Sequence, residues 1–174
     1  MFRYLKADEI EVRPALIKSN GIQLLLYKDA RCDMNILDET VGVDCWQRDH
    51  KEINGVIYCG VGIYFEDLDE DLKVKNGYWV WKWDAGAESN TEKEKGAASD
   101  AFKRACVNWG IGRELYTSPF IWVQAQKIEL ETIGGKTRCK DNFRVHHIRV
   151  EEDRIVELAI YRTRDNSIVY KYGI

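Results

Sequence analysis

Hydrophobic and polar positions along the chain alternate in ways that separate strands from helices. Gly21-Ile22-Gln23-Leu24-Leu25-Leu26-Tyr27 is a short apolar run after a glycine and predicts a strand or buried extended segment. Asp29 is placed to cap a helix from Ala30 to about Val41, with Met34, Leu37 and Val41 on one face and Gly42 just past its end. Cys45 to Lys51 reads as extended, and Asn54-Gly55 is a hairpin signal. Val56 to Phe65, β-branched and aromatic, is the strongest strand. An acidic loop from Glu66 to Asp71 follows and is expected to close at Asn76-Gly77. The return strand is Tyr78 to Asp84, with Trp79, Trp81 and Trp83 on one face and Lys82 and Asp84 on the other.

A second helix begins at a capping box of Thr91 and Glu94 and stops at Gly110. Steps of 100° gather Ala98, Ala101, Phe102, Ala105, Cys106 and Trp109 on one stripe, and the alanines predict close packing flat on a sheet. Pro119 breaks the path, Ile121 to Leu130 is mixed, and Gly134-Gly135 begins a loop. Phe143 to Val150 and Ile155 to Tyr161 alternate as strands, and Ile168 to Tyr172 makes a last one. The predicted order β, α, βββ, α, βββ is that of an α+β protein.

Composition narrows the class. The chain has 174 residues, 45% of them apolar and 11% aromatic, which suits one domain, 1–174, and argues against disorder. Its 26 basic and 29 acidic side chains give a net charge of −3, which excludes the basic-tail type of nucleic-acid binder. The five cysteines, Cys32, Cys45, Cys59, Cys106 and Cys139, include no Cys-x-x-Cys pair, and their odd number argues against a disulfide framework. With no apolar signal core at Met1 to Asp8 and no run near the roughly 20 residues of a membrane span, the expectation is reduced thiols in a cytoplasm.

Enzyme chemistry finds little support. The histidines are His50 and the adjacent pair His146-His147, whose side chains leave opposite faces of a strand and make poor joint ligands. The acid-x-Lys triplet of a metal-dependent nuclease occurs as Asp71-Leu72-Lys73, in the acidic hairpin rather than on a sheet strand. Neither a phosphate-binding P-loop nor a Gly-x-Ser-x-Gly elbow is present. Single-strand binding needs cations for phosphates and flat faces for bases. Lys103 and Arg104 lie on the polar side of the second helix and Arg31 opens the first; read alone, each is a solvated helix charge, and Asp100 offers Arg104 an i,i+4 partner. The three tryptophans could stack bases, but burial beneath the Ala-rich helix is the expected role.

Three blocks carry a resemblance. Leu37-Asp38-Glu39-x-x-Gly42 precedes Trp46. Trp83-Asp84-Ala85-Gly86 follows. Lys95-Gly96-Ala97-Ala98-Ser99-Asp100-Ala101-Phe102-Lys103-Arg104-Ala105 runs on into Gly110-Ile111-Gly112-Arg113-Glu114-Leu115-Tyr116. In this order the chain resembles the Rad52/Rad22-type DNA single-strand annealing proteins, most closely their short phage and prophage members, over about residues 7–123. The resemblance implies an antiparallel β-β-β-α annealing core with an additional N-terminal helix and a β-rich extension over about 124–174. It implies a homo-oligomeric ring or arc that holds single-stranded DNA in a basic groove. Arg31, Lys103 and Arg104 match groove positions; a further basic position is Asn108 here, with Arg113 a substitute. Annealing needs no bond chemistry, so neither catalytic residues, a metal nor a cofactor is expected, and each neutralised phosphate should add about −0.7 to the salt slope of binding. The partners implied are single-stranded DNA, further copies of the chain, and a single-stranded DNA-binding protein or partner exonuclease, with no membrane. The rival readings are a non-annealing assembly module on the same core and a metal-dependent nuclease.

Charge is uneven along the chain. Residues 29–71 carry 3 basic and 12 acidic side chains, whereas residues 72–174 carry 18 and 14. The acidity therefore marks where DNA should not lie, and the Glu66 to Asp71 loop is expected to project away from a strand path or to meet a neighbouring subunit.

Overall fold

β-Branched and aromatic residues crowd the extended stretches of this chain, and alanine crowds its second helix, as their backbone preferences require. The computed structural model describes residues 1–69, 71, 73–87 and 93–174, with 93–95 as backbone alone. Among these residues the order is β1 (Ile10–Lys18), β2 (Gly21–Lys28), α1 (Ala30–Val41), β3 (Trp46–Ile53), β4 (Val56–Leu68), β5 (Val74–Ala85) and α2 (Lys93–Asn108). Then come β6 (Ile121–Gln124), β7 (Leu130–Ile133), β8 (Lys136–Cys139), β9 (Phe143–Glu151), β10 (Arg154–Arg162) and β11 (Ser167–Tyr172). Short 3-10 turns lie at Ala7–Glu9, Arg113–Thr117 and Ala125–Lys127. The class is α+β, with antiparallel strand pairs. The chain divides into two compact units, Met1–Arg3 with Ala30–Gly112, and Tyr4–Asp29 with Arg113–Ile174.

In the first unit β3, β4 and β5 form a three-stranded sheet. The β3–β4 hairpin turns at Asn54 (φ 52°) and Gly55 (φ 78°), two left-handed residues that suit the twist of the flanking strands. One face of this sheet carries Cys59, Val61 and Ile63, all at most 2% exposed, and α2 closes it with Ala97, Ala101, Phe102, Ala105 and Cys106. Small residues let the helix lie close. Gly86, just past β5, faces the Ala97 carbonyl so tightly that a Cβ there would collide with it. The stripe starts at Ala97 rather than Ala98, whose carbonyl instead accepts from His50 Nε2 (3.3 Å). The helix ends as Gly110 turns left-handed (φ 101°) and the Ile111 N–H returns to the Cys106 carbonyl (3.1 Å). Thr91 and the Glu94 side chain of the expected capping box lie outside the described residues.

Two local expectations are corrected here. The buried face of α1 is Cys32, Asp33, Ile36 and Leu37, not Met34, Leu37 and Val41. Asn76-Gly77 is no turn: β4 and β5 run on past it, pairing Asp67 with Asn76 and Glu66 with Gly77. Gly77 is there because the Tyr64 ring lies across it, where a side chain would collide. The hairpin closes instead at Asp69, whose Oδ1 accepts from the N–H groups of Asp71 (2.9 Å) and Lys73 (2.8 Å).

The second unit holds a six-stranded sheet of order β11-β10-β9-β1-β2-β6 and a small β7–β8 hairpin. N-terminal strands thus complete the sheet of the C-terminal ones. β1 was hidden in the sequence by Pro14, which sits at a bulge where the register with β2 slips between Pro14 and Leu16. Gly134 and Gly135 (φ 57° and 78°) make the β7–β8 turn rather than a loop. No helix among the described residues is long and apolar enough to cross a membrane.

Candidate nucleic-acid interface

The residues of the first motif block hold α1 against the start of β3. Leu37 is fully buried, the Trp46 indole donates to Asp38 Oδ1 (2.6 Å), Glu39 pairs with Arg3 (2.7 Å), and Gly42 ends the helix with φ 91°. Arg31 lies exposed in the first turn of this helix.

Lys103 and Arg104 follow the buried Phe102 on α2, Lys103 half-buried and Arg104 exposed. Arg104 Nε donates to Asp84 Oδ1 (3.2 Å), and the same carboxylate accepts from the Ala85 N–H (2.8 Å) and from Asn108 Nδ2 (3.3 Å). Asp84 of the second motif block therefore orients a cation of the third. Asp100 accepts from the Ala87 N–H (2.9 Å). Asn108, standing at the expected third basic position, is committed to the fold through the Trp83 carbonyl (3.1 Å) as well as Asp84. Lys82 reaches the carbonyl end of α2, donating to the Asn108 carbonyl (2.9 Å) with its ammonium 4.3 Å from the Trp109 ring centre, where a cation offsets the negative end of the helix dipole.

The tryptophans are not beneath the helix. Lys82 and Asp84 face α2, so the alternation of β5 turns Trp79, Trp81 and Trp83 to the opposite face of the sheet. There they form a ladder, with ring centres 6.4 Å apart for Trp79 and Trp81 and 5.9 Å for Trp81 and Trp83. Gly62 and Gly60 of β4 pair with Trp81 and Trp83, and a Cβ on either glycine would come within 2.7 Å or 2.5 Å of the indole. The mid-strand glycines make room for rings. Lys51 stands 4.3 Å from the Trp83 ring centre, and Trp79 remains 38% exposed. The expectation failed because alternation alone says which residues share a face and not which face the helix covers. The sequence reading also missed Arg48 and Lys51, cations on opposite faces of β3 that lie over Phe102 and Trp83.

Arg113 belongs to the other unit, exposed at the start of a 3-10 turn. That turn is anchored by Glu114, 1% exposed, whose Oε1 accepts from the Leu5 N–H (2.7 Å), and by the Thr117 hydroxyl donating to the Glu114 carbonyl (2.7 Å). The structure therefore brings Arg104 together with Asp84 and Asn108, leaves Lys103 next to Arg104 in sequence on α2, places Arg31 on the other helix of the same unit, and assigns Arg113 to the second.

Other chemistry is engaged structurally. His147 Nε2 contacts Glu157 Oε2 (2.8 Å), whereas His146 meets the Tyr161 ring edge-on. Asp71 and Lys73 form an exposed pair at 3.7 Å. No cysteine is in a disulfide, and burial pushes the Cys59 thiol up to about 11. Among the described residues no three His, Cys, Asp or Glu side chains gather as a metal site.

Residues 2–132, well over half the chain, match the family described as Rad52/22 family double-strand break repair protein. The match contains all three motif blocks. No curated protein matches the chain.

Proposed function

Since the chain belongs to the Rad52/22 family of double-strand break repair proteins, its place is in DNA recombination and repair, and we propose that it acts there by binding single-stranded DNA and annealing complementary strands. The family match across residues 2–132 carries this reading. In it, β3, β4, β5 and α2 are the annealing core, and copies of the chain, of phage or prophage origin, assemble into a ring or arc. Arg31, Lys103, Arg104 and Arg113 neutralise phosphates without reading sequence, releasing counterions and lowering repulsion between strands. A ring multiplies the few contacts of each subunit along one strand. No bond is made or broken, so the reaction needs neither ATP, a metal nor a catalytic side chain.

Two features of the first unit support this assignment. Lys103 and Arg104 sit on a helix whose other side is locked into the sheet, so the cations start from a rigid base. Asp84 holds Arg104 in one direction while lowering its effective charge, which fits a grip that is weak per subunit and strong in an array. The indole ladder on the face turned away from α2, with Trp79 38% exposed, favours a second reading, an assembly module that does not anneal.

Replacing Lys103 and Arg104 by alanine separates the two. Under the annealing reading, affinity for unrelated oligonucleotides falls alike, and the log–log salt slope flattens by roughly 0.7 for each phosphate that is no longer neutralised. Annealing of complementary oligonucleotides without nucleotide falls with it, and particle images still show assemblies. A wild-type protein that assembles but neither binds nor anneals single strands leaves the assembly module; degradation of the oligonucleotide with Mg²⁺ would establish the nuclease.

A further inference from the structure

The second unit carries a seam between the two ends of its six-stranded sheet. β6 and β11 are the edge strands, yet side chains tie β11 to the residues flanking β6: the Tyr170 hydroxyl donates to the Phe120 carbonyl (3.2 Å), and the Lys127 ammonium donates to the Val169 carbonyl (3.3 Å). Between the edges lies an open cleft of about 490 Å³ lined by Trp122, Gln124, Lys127, Ile168, Tyr170 and Lys171.

Its chemistry is one-sided. Two lysines line it and no carboxylate does. The neighbouring arginines are compensated, Arg149 by Glu151 and Glu157, Arg162 by Asp165 and Asp141, Arg164 by Glu129 and Asp141. Lys127 and Lys171 form no ion pair among the described residues, and the carbonyl that Lys127 meets is neutral. The unit as a whole is positive, with 15 basic against 13 acidic side chains, whereas the first unit has 11 against 16.

Flat apolar faces accompany these charges. Phe120, 67% exposed, and Trp122 lie with rings 9° from parallel and centres 6.3 Å apart. The Trp122 indole is seated over Gly21, where a Cβ would come within 2.8 Å, so its orientation is set before any ligand arrives.

We infer that this seam is a further contact for single-stranded nucleic acid, separate in its residues from Arg31, Lys103 and Arg104. Phe120 and Trp122 stack bases, and Lys127 and Lys171 neutralise the phosphates beside them. Cations without an ion pair, beside an exposed phenyl ring that lies parallel to a half-buried indole, are the two components of a sequence-tolerant single-strand site. An acidic peptide would use the lysines and leave the rings idle, and a duplex hides the base faces that the rings would stack. The inference rests on the reading that the protein binds single strands, and it adds nucleotides to the length held by each subunit.

The test uses the full chain and an oligo-dT titrated at several salt concentrations. Lys127→Gln with Lys171→Gln is expected to flatten the log–log salt slope by roughly 1.4, about 0.7 for each phosphate released from a lysine. Phe120→Ala, at an exposed position, should weaken binding about fivefold or more while leaving the slope in place. Both variants keep the wild-type melting temperature, and an oligonucleotide carrying a photoreactive iodouracil crosslinks to the stretch from Phe120 to Lys127. Unchanged slope and affinity in both variants, with crosslinks confined to other peptides, overturn the seam alone if Lys103→Gln with Arg104→Gln still changes the slope. The slope falling with the seam lysines but not with Lys103 and Arg104 supports the seam and removes the helix assignment. A wild-type protein that does not bind oligo-dT overturns both.

Discussion

Where β4 meets β5, strands fit by giving up side chains: Gly60, Gly62 and Gly77 are bare opposite Trp83, Trp81 and Tyr64, and Gly86 is bare against α2. Where β9 meets β10, they are laced by charge: Glu157 takes Arg149 (2.7 Å) and His147 (2.8 Å), and close by Asp141 stands beside Arg162 and Arg164. Shape closes the first unit and ion pairs bind the surface of the second. The contrast teaches that one chain contains parts with different weaknesses: the first unit should respond to changes of volume, the second to changes of protonation and charge.

The largest effect expected is from Phe102→Ala. Phe102 is 1% exposed between Trp46, Arg48 and the sheet, and its removal leaves a cavity that the alanine-rich helix cannot fill. A loss of about 4 kcal/mol in denaturant unfolding is expected, with faster hydrogen exchange in β4 and α2. A loss under about 1 kcal/mol would break the claim that shape holds this unit.

A smaller effect, about 2 kcal/mol, is expected from Asp141→Ala in the second unit. Its nearly buried carboxylate accepts from the Glu129 N–H (2.6 Å) and lies 3.7 Å from Arg162 and 3.5 Å from Arg164, so truncation strands one N–H and weakens two pairs. Exchange should rise around Glu129 and β10, while β4 stays protected.

The smallest effect sharpens the comparison by pH. Hydrogen bonds from Arg149, then His147, hold the Glu157 carboxyl below its ordinary 4.5. A carboxyl depressed in the folded state stabilises the protein above the ordinary value, and that contribution is lost as pH falls through the lower, folded one. Stability should therefore decline on acidification below about pH 4.5, and Glu157→Gln should flatten that decline while leaving the first unit's exchange unchanged. An acid limb identical in the variant would place the sensitivity in other carboxylates.

Much of the first unit was legible because its signals are local. Asn54-Gly55 demands left-handed backbone, Gly110 ends a helix, and an alanine stripe declares a close-packed face. The motif blocks also prove structural in detail: Asp38 holds Trp46, Asp84 holds Arg104, and Gly86 admits α2. The basic candidates were legible as residue types, whereas the commitment of Asn108 to Trp83 and Asp84 needs the packing of α2 on β5. The seam of the second unit had no linear signal, since Trp122 and Lys127 lie more than forty residues from Tyr170 and Lys171.

By itself, then, the sequence determined the two helices' approximate extent, the hairpin at Asn54-Gly55, the α+β class and the blocks that mark the family, because each depends on short-range backbone preference or on residue identity. Tertiary structure alone decided which face of β5 meets the helix, that Asn76-Gly77 is strand rather than turn, and that β1 and β2 complete the sheet of β9, β10 and β11. Those outcomes turn on which surfaces bury each other, a competition among distant segments that a periodic pattern leaves open.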